Sequence, residues 1–372
     1  MSVVDITQWY SPTSGGIRTY LHAKARWARS MGVVHAAIVP GERAGEVQVA
    51  GSTFVTLRGR TPSRRWGYRL MPRPGEVIAA LEQLGPRVVV VHDALAFPRA
   101  VAAWAGERAV PVAMVCHSDL ALAADGLPRG ARRLAGSVLG AVQERALAAP
   151  QVVIVASGAT HRRIASRTPV PVVVSHLGVE TASFRDGRRD PGLRGRLVAP
   201  GHRLVLYAGR LSSEKRVDML PRMLGHLPRD AVLVIAGTGS AAGRIRRLAR
   251  RLGVSDRLRM IGHLTGPRAL ADLMATADCF VHPNPNEPFG LCPLEARAAG
   301  CPVVVPEGSG TAEFLAGRGA VVVAPGDARA LAAGVVRAMS DPPGPVDLAD
   351  LSWEATFARE WALYEDLVGA CA

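Results

Sequence analysis

The chain has 372 residues, 48% of them hydrophobic and 20% charged, with a formal net charge of +14. That length suits two domains, and the composition excludes global disorder, collagen and coiled coil. No stretch reaches the roughly 18 consecutive apolar residues that a membrane-spanning helix requires, while the positive charge favours phosphate-bearing partners without choosing among nucleic acid, anionic lipid and nucleotide.

The N-terminal MSVVDITQWY has no basic leader and carries Asp5 inside its apolar run, so no secretory signal is legible and a cytoplasmic location is expected. Next, Ser11 to Tyr20 leads into a helix, and Gly15 and Gly16 there could let the backbone approach a phosphate or a sugar ring closely. Short Val/Ile/Ala runs then alternate with amphipathic stretches, the pattern of parallel βαβ units. Strands are predicted at Val34–Val39, Val88–Val91, Val112–Cys116, Val152–Val155 and Val172–Val174. Between the first two of these, Arg58 to Arg73 holds six arginines and no acid, interleaved with Trp66, Tyr68, Leu70 and Met71. Such a segment suits an anionic membrane surface or single-stranded nucleic acid, and equally a solvated loop. His117 ends the third of these strands, at the carboxyl edge of the sheet, where it is a catalytic or a structural histidine.

Residues 183–202 are dense in Arg, Gly and Pro without periodicity, which predicts a linker between domains 1–182 and 203–351. A second strand series follows at Leu204–Ala208, Val232–Ala236, Leu258–Ile261, Cys279–His282, Val303–Val305 and Val321–Val323. The expected fold is therefore α/β, two doubly wound sheets with a ligand cleft at the carboxyl ends of the strands. After the first strand of this series, Arg210 and Lys215 sit five apart in a loop, where a guanidinium and an ammonium can hold a diphosphate from two sides. No DxD pattern accompanies them, so no metal bridge is expected. Gly237, Gly239 and Gly243 give a GxGxxxG spacing that departs from the dinucleotide fingerprint. In HPNPNEPFGLCPLEARAAG, Glu287 lies in a loop and Glu295 on the helix that Phe289, Gly290 and Leu291 open, an arrangement suited to a ligand rich in hydroxyl groups or to a capped surface helix. In the last segment, 352–372, Trp353, Phe357, Trp361, Tyr364 and Val368 form one aromatic stripe.

Some residue types are scarce. Lys24 and Lys215 are the only lysines among 45 basic residues, and Asn284 and Asn286 the only asparagines, so each is a candidate for specific chemistry. The five cysteines form no CxxC pair, against a zinc site or disulfide framework.

In this order the clusters resemble the retaining glycosyltransferases of the GT-B fold, in particular family 4, over nearly the whole chain. The most specific element is Glu287-Pro288-Phe289-Gly290 with Glu295, followed by the GRL and EK elements around Arg210 and Lys215. The Gly15-Gly16 loop, His117 and the helix at Trp353 match in position. The resemblance implies two Rossmann-like domains facing across a cleft, an acceptor domain at 1–182 and a donor domain at 203–351. The terminal helix, 352–372, would cross back to the first domain. It further implies that Arg210 and Lys215 hold the donor diphosphate, Glu295 the ribose, and Glu287 with the amides of Phe289, Gly290 and Leu291 the donor sugar. Gly15, Gly16 and Gly237 would complete the donor site, and His117 would lie beside the transferred sugar, joining Glu287, Arg210 and Lys215 as the catalytic set.

By the same likeness no cofactor or metal is expected, the donor is a nucleotide-diphosphate sugar with GDP-mannose favoured, and the acceptor is lipid-linked or a glycan. Arg64, Arg65, Trp66 and Arg69 are the expected membrane or acceptor contacts, at the inner face of the membrane, and no nucleic-acid partner is expected because no such motif accompanies the arginines. Retention without a covalent intermediate is implied, the leaving diphosphate taking the acceptor proton. A GT-B epimerase and a transferase to a soluble acceptor are the rival activities. Two features depart from the family pattern: His176 to Glu180 replaces its Asn-Gly-Val-Asp turn, and Arg297 stands where its helix is apolar.

Overall fold

The computed structural model describes residues 1–11, 15–61, 68–117, 119–121, 129–264 and 266–371. The chain divides into two compact units, Met1–Gly178 with Trp353–Ala372, and Val179–Ser352.

Among the described residues the first unit carries eight strands, β1 Ser2–Ile6, β2 Val34–Gly41, β3 Gly45–Val49, β4 Ser52–Arg58, β5 Val88–Val91, β6 Val112–Cys116, β7 Val152–Val155 and β8 Val172–Val174. Their order is β3-β4-β2-β1-β5-β6-β7-β8, parallel except for the β3-β4 hairpin. Strands such as β5, Val-Val-Val-Val, are buried on both faces, which is why they read as unbroken apolar runs. The second unit carries β9 Arg203–Ala208, β10 Ala231–Ala236, β11 Leu258–Gly262, β12 Cys279–Val281, β13 Val303–Pro306 and β14 Ala320–Val323, all parallel in the order β11-β10-β9-β12-β13-β14. Both sheets are doubly wound, and their strand order reverses between β1 and β5 and between β9 and β12. Ligands of such sheets bind at the carboxyl ends beside these switch points.

Three strands were not expected from the sequence. β1 is the most consequential, since it is central, with Asp5 in register with Ala37 of β2 and Val90 of β5. An aspartate in the middle of the apolar run masks it. β3 and β4 form a hairpin around Ala50 and Gly51, both with positive φ, in the two-residue turn such hairpins favour.

The segment 183–202 is not an irregular linker. The first unit ends at Gly178, and this segment belongs to the second, with helices at Thr181–Arg185 and Pro191–Leu197. Asp190 caps the latter by accepting from the Gly192 and Leu193 amides, and Arg194 forks onto Asp278 at 2.8 and 3.2 Å. A seven-residue helix with two internal glycines leaves too little periodicity to read.

The last helix, Trp353–Cys371, is part of the first unit. Trp353, Phe357 and Tyr364 are buried; Tyr364 joins the core with Val3, Val88, Val90 and Val115, and Phe357 packs against Tyr20 and Trp27 of the helix Gly16–Met31. Thr356 Oγ1 and Arg359 donate to the His176 carbonyl at 2.8 and 3.0 Å, and the Val179 amide donates to Leu351 O at 2.8 Å, so the outgoing and returning chain run side by side. Arg297 is buried because its guanidinium serves the carbonyls of Arg318 and Gly344.

Candidate active site

In the second unit the loop after β9 is held by close backbone approach. A Cβ on Gly237 would lie 1.9 Å from Gly209 O, and one on Gly239 2.3 Å from Leu211 O, so both positions require glycine. The Gly209 and Leu211 amides donate to Ala236 O and Thr238 O, and Tyr207 Oη donates to Arg210 O at 3.1 Å. Gly237 thus shapes the Arg210 loop by steric fit, and the Arg210 side chain is exposed.

The same loop delivers Lys215, whose Nζ lies 3.0 and 2.8 Å from the two oxygens of Glu287. Glu287 also accepts from His282 Nε2 at 3.0 Å and Asn284 Nδ2 at 3.2 Å. His282 follows β12 directly and stacks on Tyr207. Burial drives the Glu287 carboxyl upward, but Lys215 and His282 outweigh it and hold the group well below the usual range. The Glu287 loop is pinned from behind. Gly290 has φ 88° with Thr311 Oγ1 2.1 Å from where its Cβ would be, and Thr311 donates to Phe289 O at 2.8 Å. Gly290 opens the helix Leu291–Ala298, whose first turn offers the amides of Leu291 and Cys292; Pro293 has none. Four residues beyond Leu291, Glu295 has the opposite electrostatics to Glu287, because burial pushes its carboxyl up to about 7 against a weak lowering bond from Cys292.

In the first unit, His117 follows β6 and is half-buried, with Nε2 2.8 Å from His92 Nδ1. His92 follows β5, and its Nε2 lies 2.6 Å from Asp5 Oδ1. Lys24 Nζ reaches the same oxygen at 2.9 Å and His35 Nε2 the other at 2.6 Å. Burial opposes ionisation of Asp5, but Lys24, His35 and His92 prevail and keep its carboxyl well below the usual range. Gly15 stands at the start of the helix Gly16–Met31 that brings Tyr20 and Lys24 here, and among the described residues, its chain neighbours apart, no atom lies within 4 Å of where its Cβ would be.

Two family profiles match the chain, Glycosyltransferase Family 4 over residues 14–183 and Glycosyl transferases group 1 over residues 194–351. A GDP-mannose-dependent alpha-(1-6)-phosphatidylinositol dimannoside mannosyltransferase of Mycobacterium tuberculosis is 32% identical over 85% of this chain and 82% of its own. The chain is a family 4, group 1 glycosyltransferase. Among solved structures, a sucrose-phosphate synthase from Thermosynechococcus elongatus superposes with a TM-score of 0.81 at 19% identity, covering 99% of each chain. Anabaena HepE, solved in complex with UDP-glucose, gives 0.71 at 18% over 100% of this chain and 99% of its own. The two Rossmann-like units are those of the GT-B fold.

For this glycosyltransferase the sequence-derived residues gather in part. Lys215 and Glu287 are in direct contact, with Gly290, Leu291 and Glu295 on the helix beyond and Phe289 buried beneath. Arg64, Arg65 and Trp66 lie outside the described residues. Arg69 is half-buried, 3.5 Å from Gly59 O and 3.8 Å from the exposed Glu42, with its own carbonyl accepting from Gln8, while Met71 is core. Sequence reasoning missed Asp5, His92 and His282. A shared signal was present, since β5, β6 and β12 are each followed at once by a histidine.

Proposed function

We propose that this glycosyltransferase moves mannose from GDP-mannose, with retention and without a metal ion, to a lipid-linked or glycan acceptor at the inner face of the membrane. The observation that carries the chemistry is the Lys215–Glu287 pair at the opening of the helix Leu291–Ala298. Lys215 brings positive charge to a diphosphate while keeping Glu287 ionised, and an ionised carboxylate is an acceptor for sugar hydroxyls. Arg210 adds a forked cation, and the free amides of the helix start add to the charge stabilisation that a departing diphosphate needs. As the bond from the anomeric carbon to the diphosphate breaks, the acceptor oxygen bonds to that carbon from the same face and passes its proton to the leaving oxygen. Glu295 receives the ribose hydroxyls. Support for mannose, GDP and a lipid acceptor is the likeness to the mycobacterial enzyme, and support for a membrane surface is the exposure of Arg58, Arg60 and Arg73.

The test is a panel of nucleotide sugars with phosphatidylinositol mannosides, free glycans and soluble sugars as acceptors, followed by the anomeric configuration of the product. An α-mannoside formed from GDP-mannose on a lipid acceptor is expected. Product without acceptor would show an epimerase, and an inverted linkage would remove the same-face step.

A further inference from the structure

We propose that His92 is a positioning residue for His117, and that Asp5 and His92 together fix the His117 ring so that Nδ1 is offered to the substrate as a hydrogen-bond acceptor. The inference deepens the proposed function and rests on the placement of His117 beside the transferred sugar that the family resemblance implies.

The argument is one of proton counting. An ionised carboxylate is acceptor-only, so each group bonded to Asp5 must supply a proton. Lys24 supplies one to Oδ1 at 2.9 Å, His35 Nε2 one to Oδ2 at 2.6 Å, and His92 Nε2 one to Oδ1 at 2.6 Å. A neutral imidazole carries a single N–H, so His92 Nδ1 is left with a lone pair. That lone pair faces His117 Nε2 at 2.8 Å, a distance that needs one proton between the two nitrogens. The proton is therefore on His117 Nε2, and the lone pair of His117 is on Nδ1. No described residue occupies that atom.

Neutrality of both rings is maintained by their surroundings. Burial lowers the pKa of His92 below its ordinary value, in spite of Asp5, and takes His117 down to about 3 with help from His92. The charged and titratable groups facing the pair are Asp5 on β1, Lys24 and Tyr20 on the helix Gly16–Met31, His35 on β2, and Glu360 and Tyr364 on the last helix. Tyr20 meets both imidazoles edge-on, at 5.2 and 5.9 Å between centroids, which limits their rotation. Tyr20 and Tyr364 donate to Glu360 at 2.5 and 3.2 Å, leaving their oxygens to Lys24 at 3.5 and 3.3 Å. The lysine that keeps Asp5 ionised is thus itself held in place. A ring presented in this way accepts from a hydroxyl and repels a carbonyl or phosphate oxygen, so the substrate group it meets is a hydroxyl.

Histidine-selective 15N labelling with long-range nitrogen–proton correlation reads the tautomers directly, without any variant or substrate. Both His92 and His117 should be neutral with the proton on Nε2 from pH 6 to 8. A proton on Nδ1 of His117, or a charged ring, would overturn the proposal even if the transferase reading stands. Kinetics provides the second readout. His117→Ala should lower kcat by about 100 to 10,000 fold, and His92→Phe, which keeps an aromatic ring, by about 10 to 100 fold with donor KM within about threefold. Added to His117→Ala, His92→Phe should cost nothing more, whereas an equal further loss would make His92 a packing residue only.

Discussion

Each unit of the glycosyltransferase holds one of the chain's two lysines against a carboxylate that also takes a histidine from the end of a switch-point strand. The trios are Lys24–Asp5–His92 and Lys215–Glu287–His282. They differ in burial. The Lys24 and Asp5 side chains are 3% and 0% exposed, while those of Lys215 and Glu287 are 29% and 9% exposed. A fully buried ion pair recovers its desolvation cost only when every polar atom finds a partner, and Asp5 meets that demand with three donors. At the more open pair, water covers part of Lys215, and a ligand oxygen can take its place. Burial separates a trio sealed inside its unit from one that is partly open to solvent.

The largest test of that contrast is removal of each lysine in turn. Lys24→Met leaves Asp5 buried without its ammonium partner, held by two histidines alone, and the expected loss is about 3 to 5 kcal/mol of stability in denaturant unfolding. A loss below about 1 kcal/mol would show that His35 and His92 suffice alone. Lys215→Met should instead melt near the parent temperature while kcat/KM falls about 100 to 1,000 fold, the scale of losing one preorganised charge at a reacting centre. Should the two variants behave alike, the distinction drawn from burial is wrong.

Glu295 sharpens the comparison inside the second unit, because no lysine accompanies it. Glu295→Ala should weaken nucleotide binding by roughly 10 to 100 fold, the loss of a charge-assisted bond of about 1.5 to 3 kcal/mol, as read by calorimetry. Its carboxyl titrates near 7 in the folded chain, against an ordinary value of 4.5. The folded state therefore holds that proton more tightly, and stability falls as pH rises from 4.5 towards 7. Glu295→Gln should raise the melting temperature by a few degrees above pH 7 and have little effect near pH 4. In the parent, ribose binding to the ionised form should release a proton below pH 7, visible as a buffer-dependent binding enthalpy. The smallest expected effect is that of EDTA, which should leave the rate unchanged; restoration of a lost rate by magnesium would mean that Arg210 and Lys215 do not replace a metal.

The eleven expected strands were legible because parallel strands under helices on both faces are rich in Val, Ile and Leu, as β5, β7 and β13 show. β1 escaped for the opposite reason, since Asp5, which organises the polar cluster beneath His117, is the residue that breaks its apolar run. Glu287 and Lys215 were readable as a motif, yet their pairing was not, because 72 residues separate them and only β9 and β12 lying side by side brings them together. Scarcity marked Lys24, Lys215 and Asn284 without saying what each would touch. The Gly237 spacing departs from the dinucleotide fingerprint, and its steric reason, the carbonyl of Gly209, lies at the end of another strand, out of reach of a reading along the chain.

The chain leaves the first unit at Gly178 and returns at Trp353, and this fixes an order of events during synthesis. When Asp5 and Lys24 emerge, the Tyr364 and Glu360 side chains that complete their surroundings are still to be made. At roughly 5 to 20 residues per second, the ribosome takes on the order of ten seconds or more to build the inserted unit. The second unit can therefore close its core while the first waits with charged residues in an unfinished sheet. Stop codons or proteolysis that remove the last turns would spare the second unit and leave the first without its final wall, so a truncated product should retain half of the molecule folded and none of its catalysis.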